Sequence, residues 1–450
     1  MRARRTQNQS SRRPASLERV ALATNARARA RVGLGGMGPF LFAAAAMFTA
    51  MYSTQAILPE LGRDFSVAPS QTGLTVSVVI GALAVGAWFW GPLSDRIGRR
   101  ASLVLASGAL VVPSVGVALA PSFTVLLAMR AAQGLCMPGL LTVGVPYVTE
   151  AFNERIGSRA MGMYVSALVL GGLVGRVGVA LLTAATSWRV ALGAVAALPL
   201  AATLVMRRSL PPETPGPPSA GLSIATLRRL LANRALMAAC LTGAGLFFSF
   251  MGVFSYIDFR LERPPFSLSP ALIGLIFVLW VMGAAGPLAG RLADRHGWRA
   301  VALGGLLLCA GGLTLSLVPV LAVVIVGLSL VTLGNFSAVT AAQLGVAGAT
   351  DRDRGVASAM YFSAYYVAGA LGAYVPGLAW EQWHWTGVWA MAIAAYAVGA
   401  GALIAAATLA RPCAPSPATP ADSSSSSRTP SACAAAQTSG SSPGGASSSP

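Results

Sequence analysis

Twelve apolar stretches of about twenty residues follow one another through most of this chain. They run over 38–59, 70–91, 101–120, 123–148, 160–183, 188–206, 234–257, 271–290, 299–318, 320–346, 357–379 and 386–410. A helix rises 1.5 Å per residue, so about twenty apolar residues cross the hydrocarbon of a bilayer. Inside lipid a segment must satisfy its own backbone, which a helix does and an isolated strand does not. The expectation is an all-α membrane protein with twelve transmembrane helices.

One charged phrase occurs twice among these stretches. The first copy is Gly91-Pro-Leu-Ser-Asp95-Arg96-Ile-Gly98-Arg99-Arg100, and the second is Gly290-Arg-Leu-Ala-Asp294-Arg295-His-Gly297-Trp298-Arg299. The offset is a constant 199 positions. Each copy follows one apolar run and precedes another. A duplicated loop at fixed offset predicts two pseudo-symmetric six-helix halves. Its glycines allow a tight turn, and its acid can face a helix amino end or pair with a nearby arginine. Such a cluster would latch two spans at one face and release when the halves rock apart.

Charge placement predicts sidedness. The chain has a net charge of +18, yet only 10% of its residues are charged, against about a quarter in soluble domains. All 32 basic residues are arginines. They gather between the apolar runs rather than on a polar face, so they read as topology signals and not as a nucleic-acid surface. Fifteen lie in alternate loops, from Arg96 to Arg354. The opposite loops carry only Arg63, Arg260 and Arg263, with Arg189 at a boundary. The bias places both termini in the cytoplasm of a bacterial inner (plasma) membrane.

The expected organisation is a basic, disordered arm over 1–36, helical bundles over 37–206 and 234–410, a linker over 207–233, and a disordered Ser/Ala/Pro-rich tail over 411–450. The arm has nine arginines and one acid and contains no secretory signal. Met37 stands directly before the first span as an alternative start to Met1. Prolines between Leu210 and Pro218 stop any helix there, and an amphipathic stretch over 222–231 suits a membrane surface.

Several chemistries drop out. A Walker A loop and a pyridoxal Schiff base each need a lysine, which the chain lacks. Five cysteines and two histidines show no metal or redox spacing. No cofactor, metal or enzymatic activity is expected. The expected partners are a small-molecule solute, protons and membrane lipid, with the protein acting as a monomer.

Gly91–Arg100 resembles motif A of the major facilitator superfamily, and Leu126-x-x-x-Arg130-x-x-Gln133-Gly134 resembles its motif B. The resemblance covers about 37–410. The stretches Gln55–Pro59, Gly171–Arg176, Trp188–Leu192 and Phe254–Asp258 look like its drug-efflux and arabinose-efflux-like permeases. The resemblance implies alternating access and, usually, proton-driven movement of a small solute. It also implies a charge relay among Asp95, Arg99 and an acid near the inner end of span four, a place that Glu150 occupies. The second copy departs from the pattern, with Trp298 at the place of Arg99 and Ala349 at that of Glu150. Its latch is expected to be weaker. The drug-antiporter motif C is not intact, because Arg176 follows Gly175 where a proline is usual.

Two arginines fall inside spans. Arg130 and Arg176 each lie roughly 10 Å from the outer end of their helix, where a charge is costly unless paired, hydrated or facing a cavity. Tyr52 and Gln55 fall at similar depth and are expected to converge with them. The positions 199 later are Ser329 and Val375, so the feature is asymmetric. For Arg130 the resemblance implies bonds to span-one carbonyls and support of coupling. Asp258 is the acid nearest the expected cavity, with Tyr256 beside it. A solvated acid paired with Arg260 is the plainer expectation for it. Gln133, Trp280, Asn335, Tyr365 and Tyr366 are further coupling or substrate candidates, since polar groups within spans usually face protein or water. Trp88, Trp90, Trp380, Trp383 and Trp385 read as interfacial anchors.

The leading functional expectation is proton-coupled efflux of a small organic solute, such as a drug-like compound or a sugar. One alternative is carriage of a small organic anion held by the intramembrane arginines. Another, of a different class, is a membrane sensor or scaffold that transports nothing.

Overall fold

The computed structural model describes residues 37–151, 154–210, 224–350 and 353–408. The arm over 1–36, the tail over 411–450 and residues 211–223 of the linker lie outside the described residues, as does Asp351. Every regular element among the described residues is helical.

The first span is two pieces. Helix α1 (Gly38–Tyr52) stops, a tight turn covers Gln55–Ile57, and α2 (Leu58–Phe65) continues. Pro59 cannot donate a backbone bond, so it suits the first turn of a new helix. The span expected over 38–59 is one crossing over Gly38–Phe65, with its helix interrupted at 53–57. Next come α3 (Pro69–Ile97), α4 (Arg99–Ala118), α5 (Phe123–Cys136), α6 (Pro138–Ala151) and α7 (Glu154–Leu173). A wide π turn over Val174–Gly178 joins α7 to α8 (Val179–Ala185), and α9 (Trp188–Ser209) closes the first half. After the linker, α10 (Ile224–Leu231) precedes α11 (Arg234–Glu262). A short α12 (Pro270–Leu275), a 3₁₀ stretch (Ile276–Ala285) and α13 (Gly286–His296) follow one another with a bend of 46°. Then follow α14 (Trp298–Leu315), α15 (Leu321–Ala347) and α16 (Arg354–Thr408).

Ten helices among the described residues are long and apolar enough to cross a membrane, or eleven if the bent run over 270–296 counts as one span. The longest, α16, is two helices merged across a kink at His384, whose φ of 48° is non-helical. Glycines set the closest helix contacts. A Cβ on Gly171 would sit 2.2 Å from the Ala45 carbonyl oxygen, and one on Gly372 would sit 2.2 Å from that of Phe248. These two positions hold α1 against α7 and α11 against α16, one contact in each half.

Both copies of the charged phrase turn in the same way. Gly98 has φ 89° and Gly297 has φ 83°, a region that a Cβ excludes. Around Gly297 a Cβ would find open space, so substitution there is opposed by torsion alone. Gly297→Ala should cost about 1–3 kcal/mol and lower the melting temperature of the purified protein. Gly290→Ala, on a helix and equally uncrowded, should be neutral or slightly stabilising, because alanine loses less backbone entropy. Equal melting temperatures for the two variants would refute this account of the repeated glycine.

Candidate functional site

The break in the first span is read by two buried arginines, each on its own side. Helix α1 ends at Tyr52, so its last carbonyls lack intrahelical donors. Arg130 on α5 fills that gap. Its Nη1 donates to the Ala50 carbonyl at 2.8 Å and its Nη2 to that of Met51 at 2.6 Å. Its Nε donates to the Thr75 carbonyl on α3 at 2.8 Å, and Nη1 also reaches Gln133 Oε1 at 2.8 Å. Gln133 in turn donates to Ser114 Oγ at 2.9 Å. Arg130 is fully buried, and a cation at a helix carboxyl end is well placed against the helix dipole. Its guanidinium is committed to protein acceptors on three helices.

Arg176 lies beyond the break and faces the other half. It sits in the π turn, a distortion that re-aims a side chain and recurs at functional sites. Its Nε donates to Gln55 Oε1 at 2.8 Å and its Nη1 to the Gly172 carbonyl at 2.8 Å. The guanidinium carbon lies 3.7 Å from the centre of the Tyr52 ring and 3.5 Å from that of Trp280. Phe277 is 5.4 Å away. Tyr52 belongs to the first half and Trp280 to the second, and the two rings stand at 72° to each other, so the cation sits in the corner they form where the halves meet. Gln55 Nε2 completes the crossing by donating to Ser255 Oγ on α11 at 3.2 Å. Arg176 Nη2 and Trp280 Nε1 are buried without a hydrogen-bond partner. Phe250, Phe254 and Phe336 pack around Trp280 at centroid distances of 4.6, 5.5 and 6.3 Å.

Asp258 corrects the plainer expectation from sequence. It is 1% exposed, and neither carboxylate oxygen has a hydrogen-bond partner. Arg260 does not pair with it. That arginine donates to the Leu317 carbonyl and lies over Trp385 instead, because two residues along a helix turn the side chain to another face. Asp258 lines a small enclosure with Glu60 and Glu262. Arg63 bonds Glu60 at 3.4 Å and also pairs with Glu262. Sequence reasoning missed Ser255, Glu262 and Phe277. A signal for one of them was present, since Arg63 and Glu262 are 199 positions apart, the offset of the repeat. Equivalent positions in a two-fold arrangement touch only near the axis, so opposite charges at that offset mark the axis.

The remaining candidates divide. Tyr256 is buried and donates to the Ala373 carbonyl at 2.9 Å, packing on Trp380; it lies in the packed core rather than beside Arg176. Tyr365 and Tyr366 contact Phe247, Tyr365 stacking on it at 4.0 Å. Asn335 is 2% exposed, and its Oδ1 lacks a partner. Trp90, Trp380 and Trp385 are buried, contrary to the interfacial expectation. Trp90 donates to the Leu135 carbonyl and Trp385 to Ser316 Oγ, so indole hydrogen bonding outweighs anchoring there. Trp88 and Trp383 are exposed.

In the first charged loop Arg99 Nη1 pairs with Asp95 Oδ1 at 2.6 Å and reaches Ser94 Oγ at 2.5 Å. Gly91 and Gly98 frame this pair, Arg96 is exposed, and Arg100 Nη2 donates to the Arg207 carbonyl at 3.1 Å. Glu150 lies on α6, and its side chain is outside the described residues. In the second loop Asp294 and Arg295 are exposed, and among the described residues neither forms an ion pair.

Comparison with known proteins agrees with this architecture. The family model described as Major Facilitator Superfamily matches residues 40–277 and 263–441. The inner membrane transport protein YnfM of Escherichia coli K12 is 32% identical over 366 residues, covering 79% of this chain and 87% of YnfM. The MFS-type transporter YybF of Bacillus subtilis is 30% identical over 348 residues, covering 76% and 86%. Among solved structures, a bacterial homologue of the human lysosomal transporter Spinster, inward-facing and unoccupied, superposes with a TM-score of 0.70 at 14% identity, over 83% of this chain and 96% of that one. A peptide transporter, POT, crystallised with sulfate gives a TM-score of 0.69 at 12% identity over 86% and 98%. These likenesses establish the fold. With two matched segments covering most of its length, the chain belongs to the Major Facilitator Superfamily, a family of membrane transporters rather than enzymes.

Proposed function

We propose that this protein is a proton-coupled exporter of a small organic solute, working as a monomer by alternating access in a bacterial inner membrane. Both termini then lie in the cytoplasm, and helical bundles over 37–206 and 234–410 rock about the linker at 207–233. The observation that carries this reading is the Arg176 clamp. Contacts between the halves gather toward the face poor in arginine, through Arg176 with Trp280, Gln55 with Ser255, Arg63 with Glu262 and Ser77 with the Ala370 carbonyl. Along α3 that contact stripe runs through Gly73, Ser77 and Gly81. Its continuation on the same helical face, at Val85 and Trp88, is 55% and 59% exposed. Such a pattern suits a carrier closed to the outside and parted toward the cytoplasm. Asp258, enclosed at the closed end beside Glu60 and Glu262, is the coupling residue in this reading. Its surroundings change when the gate opens, which coupling requires. In everted vesicles with an imposed proton gradient, a broad solute panel should include one that drives proton flux. No solute-dependent flux from any member would remove the proposal.

Carriage of an anion is the second reading, favoured by one atom. Arg176 Nη2 is buried without a hydrogen-bond partner, a charged donor that a carboxylate or phosphate can take. Arg130 no longer belongs to this reading, since protein acceptors occupy its guanidinium. Arg176→Gln should then abolish anion binding while the protein stays folded. Retained binding would discard the idea.

A further inference from the structure

A groove of about 600 Å³ runs between α4 and α9 on the outside of the first half. Its floor and walls come from Ala101, Val104, Leu105, Gly108, Ala109 and Thr203, and its mouth carries Arg100 and Arg207. The Thr203 hydroxyl is already bonded to Ser107 Oγ at 2.9 Å and to the Pro199 carbonyl at 2.7 Å. Its methyl is the group nearest Gly108, 3.5 Å from where a Cβ would stand. The groove is thus apolar along its length and cationic at one end. No acid lines it. The surface around it is apolar as well, for Leu105, Val112, Leu200 and Leu204 are 50%, 75%, 47% and 46% exposed. In a membrane transporter that surface meets hydrocarbon, so the groove opens into lipid.

The occupant that matches a greasy slot ending in two guanidiniums is an anionic phospholipid. We propose that this groove binds one such lipid, with an acyl chain along Val104 and Thr203 and its phosphate between Arg100 and Arg207. The Arg100 guanidinium already lies over the carboxyl end of α9, bonded to the Arg207 carbonyl, which fixes one donor at the mouth. Basic pockets between membrane helices favour acidic headgroups, and arginine forks suit phosphate oxygens. The inference is independent of the transported solute and of the coupling ion.

The test is thermal unfolding of the purified full chain in neutral detergent, titrated with phosphatidylglycerol or phosphatidylcholine of identical chains. Stabilisation should saturate with phosphatidylglycerol at a concentration about tenfold lower than with phosphatidylcholine, the factor expected of one charge-assisted bond. Arg207→Gln should erase that preference, while Arg208→Gln, outside the groove, should keep it. Ala101→Trp, which fills the slot and leaves both arginines, should weaken both lipids. Equal response to the two headgroups overturns the proposal, as does a preference that survives both Arg207→Gln and Ala101→Trp. Glycerol phosphate without chains should have no effect; an equal shift with it would show a phosphate site and overturn the lipid. Should Arg207→Gln fail to fold, the headgroup comparison on the native chain and the Ala101→Trp variant still decide the matter.

Discussion

Arg176→Met should release the gate on the arginine-poor face and stop transport while leaving the protein folded. The clamp comprises two desolvated cation–π contacts, each about 1–2 kcal/mol, and a charged hydrogen bond to Gln55 worth about 1.5–3 kcal/mol. Loss of even 3 kcal/mol shifts a two-state balance by roughly two orders of magnitude. A carrier held closed by this clamp would therefore spend most of its time open on that side. The reading needs no substrate. In a background without native cysteines, Ser255→Cys should resist a membrane-impermeant thiol reagent applied from that face, and should react once Arg176→Met is added. Lysine should not restore protection, because an ammonium lacks the planar fork that reaches Gln55 and Gly172 together. Continued protection in the methionine variant would disprove the clamp.

Why the sequence revealed the spans but not the clamp follows from what each depends on. Span ends are set by run length and by glycine, proline and arginine, all local. The expected 188–206 became Trp188–Ser209, and 234–257 became Arg234–Glu262. Depth was local too, since helical rise alone grouped Tyr52, Gln55, Arg130 and Arg176, of which Arg130 turned to the carbonyls of α1 and α3 instead. Which half a side chain faces depends on helix rotation, and rotation here depends on the π turn at Val174–Gly178, which no residue pattern announced. Asp258 was misjudged for the same reason. Its place near a helix end suggested solvent, whereas the fold seals that end with the Arg63–Glu262 pair. The offset of 199 held that pair in view, but only once the repeat is read as a spatial axis as well as a duplication.

Arg130→Met should behave in the opposite manner to Arg176→Met and damage the fold before the gate. Its four bonds join α1, α3 and α5 where α1 is broken. The Met51 carbonyl, in the last turn of α1, would lose its donor in surroundings that exclude water. Gln133 Oε1 would lose its donor as well. Ala50 keeps a second donor in Ser53 Oγ, which limits the damage at that carbonyl. Each orphaned buried acceptor costs about 1–3 kcal/mol. Relief from burying the charge offsets part of this, because the guanidinium has no carboxylate partner. The net loss should still reach about 2–4 kcal/mol, since removing a group from a buried polar network strands what remains. Purified Arg130→Met should unfold at a clearly lower temperature than the native chain, with Arg130→Lys between them because one ammonium cannot serve all four acceptors. Arg176→Met loses its clamp in the closed state only, and water reaches Gln55 once the gate opens, so this variant should melt closer to the native chain than Arg130→Met does. If Arg130→Met melted with Arg176→Met, the two buried arginines would not divide the work of fold and gate.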